Sequence, residues 1–384
     1  RGGTLLRAAT LAAFAVRPQP GTGNDTEVLR TVIAKLLHLA WNRDVDLGAD
    51  RAAALAWLDD QVAAWTTPRA ASAHPLQAVL DAPGGTALLA LTAWGLTPAR
   101  TGGGTLTEPT ASRFDTLLAA AADGKPDDQA LAVIGVHLAH LALHAPDWFA
   151  ERPDLLLLVP AWRPGRVWLD RGTPYPPLLA RLDRASVLQR MRAPDGEGAV
   201  RQAAIALRAD SEPLGSSSVF VTELADGTGG PQAVSRLLSD LAFLTAHDQD
   251  QASTERACAV WRAVLDAGLP PEALPGAGRF AFATGIDDAT WLELTARTTA
   301  AQPAVETGLG RHVAERAARH PDSPHTATIL AALLNAPRDT YRWDGIEHVA
   351  QEAHSRMPAG PGRDALTTAL VNAGAVEAAF PGSG

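Results

Sequence analysis

The sequence predicts an all-α fold, specifically an irregular α-solenoid of stacked antiparallel helix pairs similar to HEAT or TPR arrays. Apolar residues recur at helical spacing along most of the chain, and proline and glycine interrupt this pattern at short intervals. Several of the helices carry apolar residues on more than one face. A helix of that kind lies between neighbours on two sides, as it does in stacked helix pairs.

Composition limits the classes of protein that this chain can belong to. It has 384 residues, of which 46% are hydrophobic and 20% charged, and its formal net charge is −9. This length and composition support a sizeable core, and they exclude disorder for most of the chain. No stretch approaches the ~18 consecutive apolar residues of a membrane span, so we expect no membrane partner. The single cysteine, Cys258, excludes an intrachain disulfide, agrees with a cytoplasmic location and is expected to be a small buried core residue.

The N-terminal region, residues 1–159, is predicted to be a helical subdomain. Arg7 interrupts its first apolar run, which we therefore interpret as an amphipathic helix and not as a signal peptide. Because the chain begins with Arg1 and not with Met, we expect it to be a piece of a longer protein or a processed product. Asn24 and Glu27 are spaced as a capping box before the second helix. A further helix has Trp57 off its main apolar face, which consists of Leu55, Leu58, Val62 and Trp65.

Residues 160–230 are predicted to form an insert rich in proline, glycine and arginine, with a few helices. Two short stretches, Leu155–Val159 and Ser218–Leu224, could be strands, but they are too short and isolated to make a sheet, and the first could equally end a buried helix. The main predicted breaks in the helical pattern are Arg17–Gly23, Thr97–Pro109, Pro160–Pro177, Ala193–Gly198 and Asp210–Gly230.

The C-terminal region, residues 231–384, is predicted to be a helical-repeat subdomain without a strict period. Asp287 and the pair Ser323-Pro324 are helix start signals. One predicted apolar face consists of Ala257, Val260, Trp261 and Val264, and another of Trp291, Leu294, Thr295 and Thr298. The predicted helices are Gln232–His247, Ala252–Ala267, Pro271–Thr284, Asp287–Ala300, Val305–His320, Thr326–Asn335 and Tyr341–Met357.

Three stretches of the last third resemble a known family. They are "GRFAFATGIDDATWLELTARTTA" (278–300), "ERAARHPDSPHTATILAALL" (315–334) and "YRWDGIEHVAQEAHS" (341–355). Together they resemble the C-terminal helical-repeat regions of large multidomain bacterial proteins, which include STAND-type NTPases and related antiphage defence proteins. The resemblance implies a sensor or scaffold segment, with a nucleotide-binding module and an effector domain upstream. This chain has no G-x-x-x-x-G-K-[ST] phosphate loop, since "PGTGND" (20–25) and "TGGGT" (101–105) lack the lysine.

Three histidines, His137, His140 and His144, are spaced three and four residues apart in "VIGVHLAHLALHAPDW" (133–148). This spacing predicts one helical face, and neutral imidazoles on one face can bind Zn²⁺. There is no HExxH motif, however, and Leu138, Leu141 and Ala145 form an apolar stripe beside the histidines. We therefore interpret the cluster as the edge of a buried face and predict no metal or other cofactor.

Other chemistry-bearing residues have simpler explanations. Asp59-Asp60 lacks the third aspartate of a DDxxD motif and is interpreted as solvated helix surface. The pairs Asp127-Asp128 and Asp287-Asp288 stand at helix starts, where carboxylates cap free N–H groups. No G-x-S-x-G nucleophile motif and no CxxC motif is present, and "GSSSV" (215–219) is interpreted as a loop.

The segment from Ala161 to Arg192 is the most unusual part of the sequence. It has seven arginines and two aspartates, a local balance of +5, which leaves −14 on the rest of the chain. Arginines next to flat aromatic rings suit phosphate, carboxylate or exposed bases. The alternative is that the arginines pair with the acidic surplus elsewhere. We predict that an irregular proline-bounded loop here binds a partner through Trp162, Arg163, Arg166, Trp168 and Arg171.

These observations favour a non-catalytic helical-repeat scaffold or sensor region that binds a protein partner. One alternative is a metal-dependent hydrolase that uses His137, His140 and His144. Another is a nucleotide or nucleic-acid binder that uses the segment Arg163–Arg192. The net acidity of the chain argues against nucleic acid as a partner, because affinity for phosphate backbones grows with the number of cationic contacts.

Overall fold

Every element that the structure describes is a helix, which confirms the predicted all-α class. The structure is a computed structural model, and it describes residues 2–15, 24–43, 45–65, 79–80, 82–96, 105–157, 163–209, 214–247, 250–302, 309–336 and 345–375. Both stretches considered as strands are helical where described. Ser217–Ala225 is a helix, and residues 155–156 are the end of a short helix, Pro153–Leu156.

The chain divides into two compact units, and the division falls within the predicted insert. The first unit comprises Arg1–Pro174 and Arg181–Asp183, and the second comprises Tyr175–Ala180 and Arg184–Gly384. Helices of the first unit are α1 (Gly2–Ala15), α2 (Asn24–Asn42), α3 (Arg51–Ala63), α4 (Pro83–Gly95), α5 (Thr110–Ala122), α6 (Asp128–Val136), α7 (Leu138–His144), α8 (Pro146–Ala150), α9 (Pro153–Leu156) and α10 (Arg163–Arg171), with a 3₁₀ helix at Gly48–Asp50.

Helix α4 is the centre of the first unit. Every residue from Gly84 to Gly95 is buried, and α2 and α3 both pack against it. The indole N–H of Trp94 donates to the carbonyl oxygen of Leu37 in α2 at 3.0 Å. On α3, Trp57 and Leu58 are both buried although they face different directions, so the two-faced burial inferred from the sequence is confirmed there.

The second unit also consists of helices where it is described. They are α11 (Pro176–Leu179), α12 (Arg184–Arg192), α13 (Glu197–Arg208), α14 (Ser217–Ala225), α15 (Gly230–Ala246), α16 (Gln251–Asp266), α17 (Asp288–Ala301), α18 (Gly310–Ala318), α19 (Pro324–Asn335), α20 (Ile346–Arg356) and α21 (Pro361–Asn372). The main contacts of each helix are with elements one to three places away along the chain. Such local packing is typical of stacked helix pairs.

Three of the predicted helix-capping residues cap helices in the structure. The side chains of Asp127, Asp287 and Ser323 accept hydrogen bonds from backbone N–H groups in the first turns of α6, α17 and α19. Asp250 caps α16 in the same way. The side chain of Asn24 lies outside the described residues, so the proposed capping box stays a prediction.

The prediction that Asp59 is solvated helix surface is wrong. Its carboxylate is not simply solvated, because it accepts a hydrogen bond from Arg113 of α5 at 2.8 Å. Asp60, one residue on, is exposed as predicted. Of the two neighbouring aspartates, Asp59 therefore joins α3 to α5.

The predicted helix Pro271–Thr284 is also corrected, because this stretch forms two 3₁₀ helices, Pro271–Ala273 and Pro275–Phe282. The second lies against α15 so closely that a Cβ on Gly276 would stand 1.9 Å from the carbonyl oxygen of Ser235. The backbone N–H of Gly276 donates to the Ser235 hydroxyl at 2.9 Å. Only glycine allows this approach.

Arg316 of α18 holds this 3₁₀ segment in place from the other side. Its guanidinium donates to the carbonyl oxygens of Phe280, Ala283 and Ile286 at 3.1, 2.9 and 2.8 Å. It also donates to the carboxylate of Asp288 at 3.0 Å. The arginine is only 5% exposed, so these bonds form inside the protein.

Asp288 and Trp291 complete the surroundings of this arginine. The guanidinium lies over the Trp291 ring at 4.5 Å from its centroid, and the second carboxylate oxygen of Asp288 is 2.9 Å from Nε2 of His320. Asp288 was expected to act only at the start of a helix. It also joins the start of α17 to the last turn of α18 through Arg316, a contact for which the sequence carries no local signal.

Candidate functional site

The predicted partner-binding loop is partly a helix. Residues Arg163–Arg171 form α10, which packs against α6. Pro164 stands in the first turn of α10, where a missing N–H costs nothing. On α6, a Cβ at Gly135 would meet the Pro164 carbonyl oxygen at 2.6 Å and the Val167 side chain at 2.8 Å. This close helix crossing explains why a segment with loop-like composition is helical.

Trp168 lies in the core and not on a binding surface. It is 0% exposed, and its indole N–H donates to the carbonyl oxygen of Thr173 at 2.9 Å. Its ring anchors α10 to the first unit, since burying an aromatic side chain of this size contributes several kilocalories per mole. Its assignment as a partner contact is therefore wrong for the folded chain.

Two of the five predicted contact residues are exposed arginines. The side chain of Arg166 is 53% exposed and lies 4.0 Å from the carboxylate of Asp170, and Arg171 at the end of α10 is also exposed. Trp162 and the side chain of Arg163 lie outside the described residues. The surface that the structure describes is therefore the arginine pair Arg166/Arg171.

The arginines farther along the segment are mostly engaged within the second unit. Arg190 is 7% exposed and donates to both carboxylate oxygens of Asp195 at 2.6 and 3.0 Å. Arg192 donates to the carbonyl oxygens of Leu224 and Glu223. Arg190 therefore pairs with an acidic residue of the chain, as the alternative interpretation of the segment supposed, and Arg192 binds the last turn of α14.

Arg184 and Arg181 are also engaged within the chain. Arg184 donates to the carboxylate of Glu223 at 2.7 Å and to the carbonyl oxygen of Leu214. In the first unit, Arg181 lies over the ring of Phe149 at 4.7 Å from its centroid. The local charge of +5 therefore overstates how many arginines can contact a partner.

The histidine cluster does not lie on one continuous helix. The backbone at His137 has φ −90° and ψ 2°, which ends α6 and begins α7. The ring centroids of His137 and His140 are 6.2 Å apart, and those of His140 and His144 are 6.0 Å apart. His137 is 6% exposed, whereas His140 and His144 are half-buried. The cluster thus lies at the edge of a buried face, as the sequence analysis proposed.

His137 is buried without a polar partner. Neither of its ring nitrogens has a hydrogen bond. Burial, together with the neighbouring His140 and His38, lowers the pKa of His137 to about 3. The pKa of His38 on α2 is lowered by burial too, against a backbone hydrogen bond at Leu89 that raises it. His38 was not among the predicted site residues, because no pattern near it in the sequence indicates that α2 places it near His137.

No three His, Cys, Asp or Glu side chains in the described part of the chain are grouped so that they could hold a metal ion. Cys258 is buried, as the sequence analysis expected, and burial raises the pKa of its thiol to about 11. A thiol of that kind is a poor nucleophile at neutral pH.

Comparison with known proteins adds no relative. No protein-family model, no curated protein and no solved structure matches the chain. Separately, none of the described helices is both long and apolar enough to cross a membrane.

Proposed function

We propose that this chain is a non-catalytic helical scaffold or sensor region that binds an acidic protein partner through the arginine pair Arg166/Arg171. The observation that carries the proposal is the construction of α10. Trp168 and the crossing at Gly135 fix the helix on the first unit, and the two arginines remain at its surface. A guanidinium on a fixed helix is suited to forked binding of a carboxylate, because little order is lost when it binds.

The solenoid arrangement is part of this proposal. Its support is the local contact pattern of the second unit, in which helices pack mainly against near neighbours along the chain. Stacked helices of this kind provide extended surfaces for partners in preference to a deep pocket. The proposed setting is the cytoplasm of a bacterium, as part of a larger multidomain protein related to defence, in line with the resemblance of residues 278–355.

The test is a double charge reversal with a matched control. Arg166→Glu with Arg171→Glu changes the proposed surface, and Arg201→Glu with Arg311→Glu changes two exposed arginines of the second unit. Each variant is used for photo-crosslinking in cells that carry the complete reading frame. We expect the first variant to lose at least tenfold of the recovered partner and the control to retain it, while both melt within about 2 °C of the parent chain, because exposed charge changes usually cost little stability.

Two results would overturn the proposal. One is an unchanged set of crosslinked partners together with a lower melting temperature for Arg166→Glu/Arg171→Glu, which would assign both arginines to internal pairing. The other is salt-sensitive binding of a fluorescent single-stranded oligonucleotide that the same variant abolishes, which would favour the nucleic-acid alternative.

A further inference from the structure

The strongest feature that the proposed function leaves unused is the pair of histidines His137 and His38. His137 stands at the break between α6 and α7 with both ring nitrogens unpaired, and Nδ1 of His38 on α2 is also buried without a hydrogen-bond partner. A buried polar group without a partner usually costs about 1–3 kcal/mol, so its presence calls for a physical reason.

The groups around His137 give no compensation for a positive charge. The charges that act on it are those of His140 on α7 and His38 on α2, and both oppose its protonation. Helix α4, which contacts both α2 and α6, contains no titratable residue. A proton on His137 would thus meet other imidazoles inside an apolar environment.

The charged residues on the other neighbouring helices are engaged elsewhere or exposed. On α5, Arg113 binds Asp59 and Asp115 binds Arg152, at 2.8 and 2.7 Å. On α2, Glu27 and Lys35 are exposed and Arg30 is half-buried. The other charged residues with described side chains on the helices around the break are Asp128 in the first turn of α6, exposed Asp147 on α8, and Arg166, Asp170 and Arg171 on α10.

We propose that His137 and His38 form a proton-sensitive element that keeps α2, α6 and α7 closed at neutral pH and opens them in acid. In the neutral state the His137 ring packs as an apolar group, and His38 keeps its backbone hydrogen bond at Leu89. In acid the preferred state is the one in which the rings reach water, and this requires α6 and α7 to separate from their neighbours. The break at His137, where φ −90° and ψ 2° interrupt the helix, is the point at which α6 and α7 can move relative to each other, although the N–H of Leu141 still donates to the His137 carbonyl oxygen at 2.9 Å.

The sign and size of the effect follow from the protonation of His137. Its pKa is about 3 in the folded chain and about 6.5 in an open one, so the closed state binds fewer protons. Stability from this group is complete above pH 6.5 and decreases as the pH falls from 6.5 towards 3. At pH 5 the equilibrium between closed and open states shifts by about thirtyfold for one such histidine. His38 shifts it in the same direction.

Buried His354 in the second unit provides an internal comparison. It is 3% exposed, but its Nε2 lies 2.8 Å from the hydroxyl of Thr367, so its ring has the partner that His137 lacks. Its pKa is lowered by burial and by Arg363. If acid opened α20 and α21 before α6 and α7, the proton-sensitive element would lie in the second unit instead.

Hydrogen exchange measured by mass spectrometry tests the proposal on the whole chain. Between pH 7.5 and pH 5.0, after correction for the intrinsic exchange rate, we expect peptides from residues 28–42 and 129–144 to lose about thirtyfold in protection, while peptides from 231–246 keep theirs. His137→Gln should remove most of this change, and His38→Gln part of it. The matched control is His348→Gln, because His348 is exposed on α20.

The proposal fails if the parent chain and His137→Gln lose the same protection in acid, or if peptides from 346–372 open first. A separate readout needs no variant, in case His137→Gln does not fold. Of the 11 histidines, the one at position 137 should show no ring titration in NMR between pH 8 and pH 5 while the chain stays closed. A midpoint near 6.5 for that ring would overturn the inference.

Discussion

The buried arginine of the second unit allows the sharpest prediction about stability. Replacing Arg316 with Met keeps an apolar side chain of similar length and removes the guanidinium, which lies over the Trp291 ring. The three carbonyl oxygens and the Asp288 carboxylate that it binds then lose the guanidinium as a donor. The perturbation therefore tests one contact that joins the 3₁₀ segment Pro275–Phe282 to α17 and α18.

The magnitude can be estimated from the number of acceptors. Hydrogen bonds to a charged group contribute about 1.5–3 kcal/mol each, but water can replace some of them at a partly opened segment. Leaving a buried acceptor unpaired costs about 1–3 kcal/mol, and Arg316 serves three carbonyl oxygens beside a half-exposed Asp288, so we expect Arg316→Met to cost about 3–5 kcal/mol. In a unit of this size each kilocalorie per mole shifts the melting temperature by about 2–4 °C, so a shift of roughly 6–20 °C is expected.

Calorimetry of the whole chain measures this shift, and Arg311→Met is the control. Arg311 is 58% exposed and pairs with Glu315 one turn away, a contact that contributes about 0.5 kcal/mol or less. Arg316→Lys keeps the charge but cannot donate to four acceptors at once, so it should fall between the two. Hydrogen exchange should increase first in residues 274–286, since Arg316 fixes their carbonyl groups.

The reasoning is refuted if Arg316→Met melts within about 2 °C of Arg311→Met. In that case the carbonyls of the 3₁₀ segment would be satisfied without the guanidinium, and the segment would be held by Trp261, whose ring is stacked on Phe280 at 4.4 Å. Equal exchange of residues 274–286 in the two variants would support the same conclusion.

Three further predictions concern single positions. Gly135→Ala should lower the melting temperature by several degrees, because its Cβ would meet the Pro164 backbone at 2.6 Å, whereas Gly362→Ala, with a side-chain neighbour at 3.2 Å, should be close to neutral. Cys258 should react with a disulfide reagent at pH 7.5 only at the rate of unfolding, because its thiol has a pKa of about 11, and reaction of the folded chain within minutes would contradict this. Asp287→Ala should cost about 1 kcal/mol in denaturant unfolding through loss of the α17 cap, and a loss below about 0.3 kcal/mol would contradict that role.

Local signals allowed much of the fold to be predicted. Caps such as Asp127 and Asp287 act within a few residues of their position, so their function can be recognised in sequence. The predicted faces of α16 and α17 are buried, because helical spacing puts residues such as Trp261 and Trp291 on one side whatever the helix packs against.

The rest depends on contacts between residues far apart in sequence. Proline and glycine in Arg163–Arg171 indicated a loop, but burial of Trp168 and the crossing at Gly135 outweigh that local preference. The break at His137 and the proximity of His38 likewise arise from packing between separate helices. Of the predicted binding residues, Trp168 is buried in the core by such packing between helices, whereas Arg166 is exposed.

The number of exposed arginines bears on which class of partner the chain can bind. Arg190 and Arg192 bind the chain's own oxygen atoms, so within the described part of Arg163–Arg192 the charge available on α10 comes from Arg166 and Arg171. With two phosphate contacts, the logarithm of the binding constant for a single strand would change with a slope of only about −1.4 against the logarithm of the salt concentration. So few contacts are too weak to hold a nucleic acid against a net charge of −9 on the chain. A protein interface differs, because one or two arginines in a desolvated contact can contribute about 2 kcal/mol or more each. Under the proposed function, the two side chains that are insufficient for a nucleic acid would therefore suffice for an acidic protein surface.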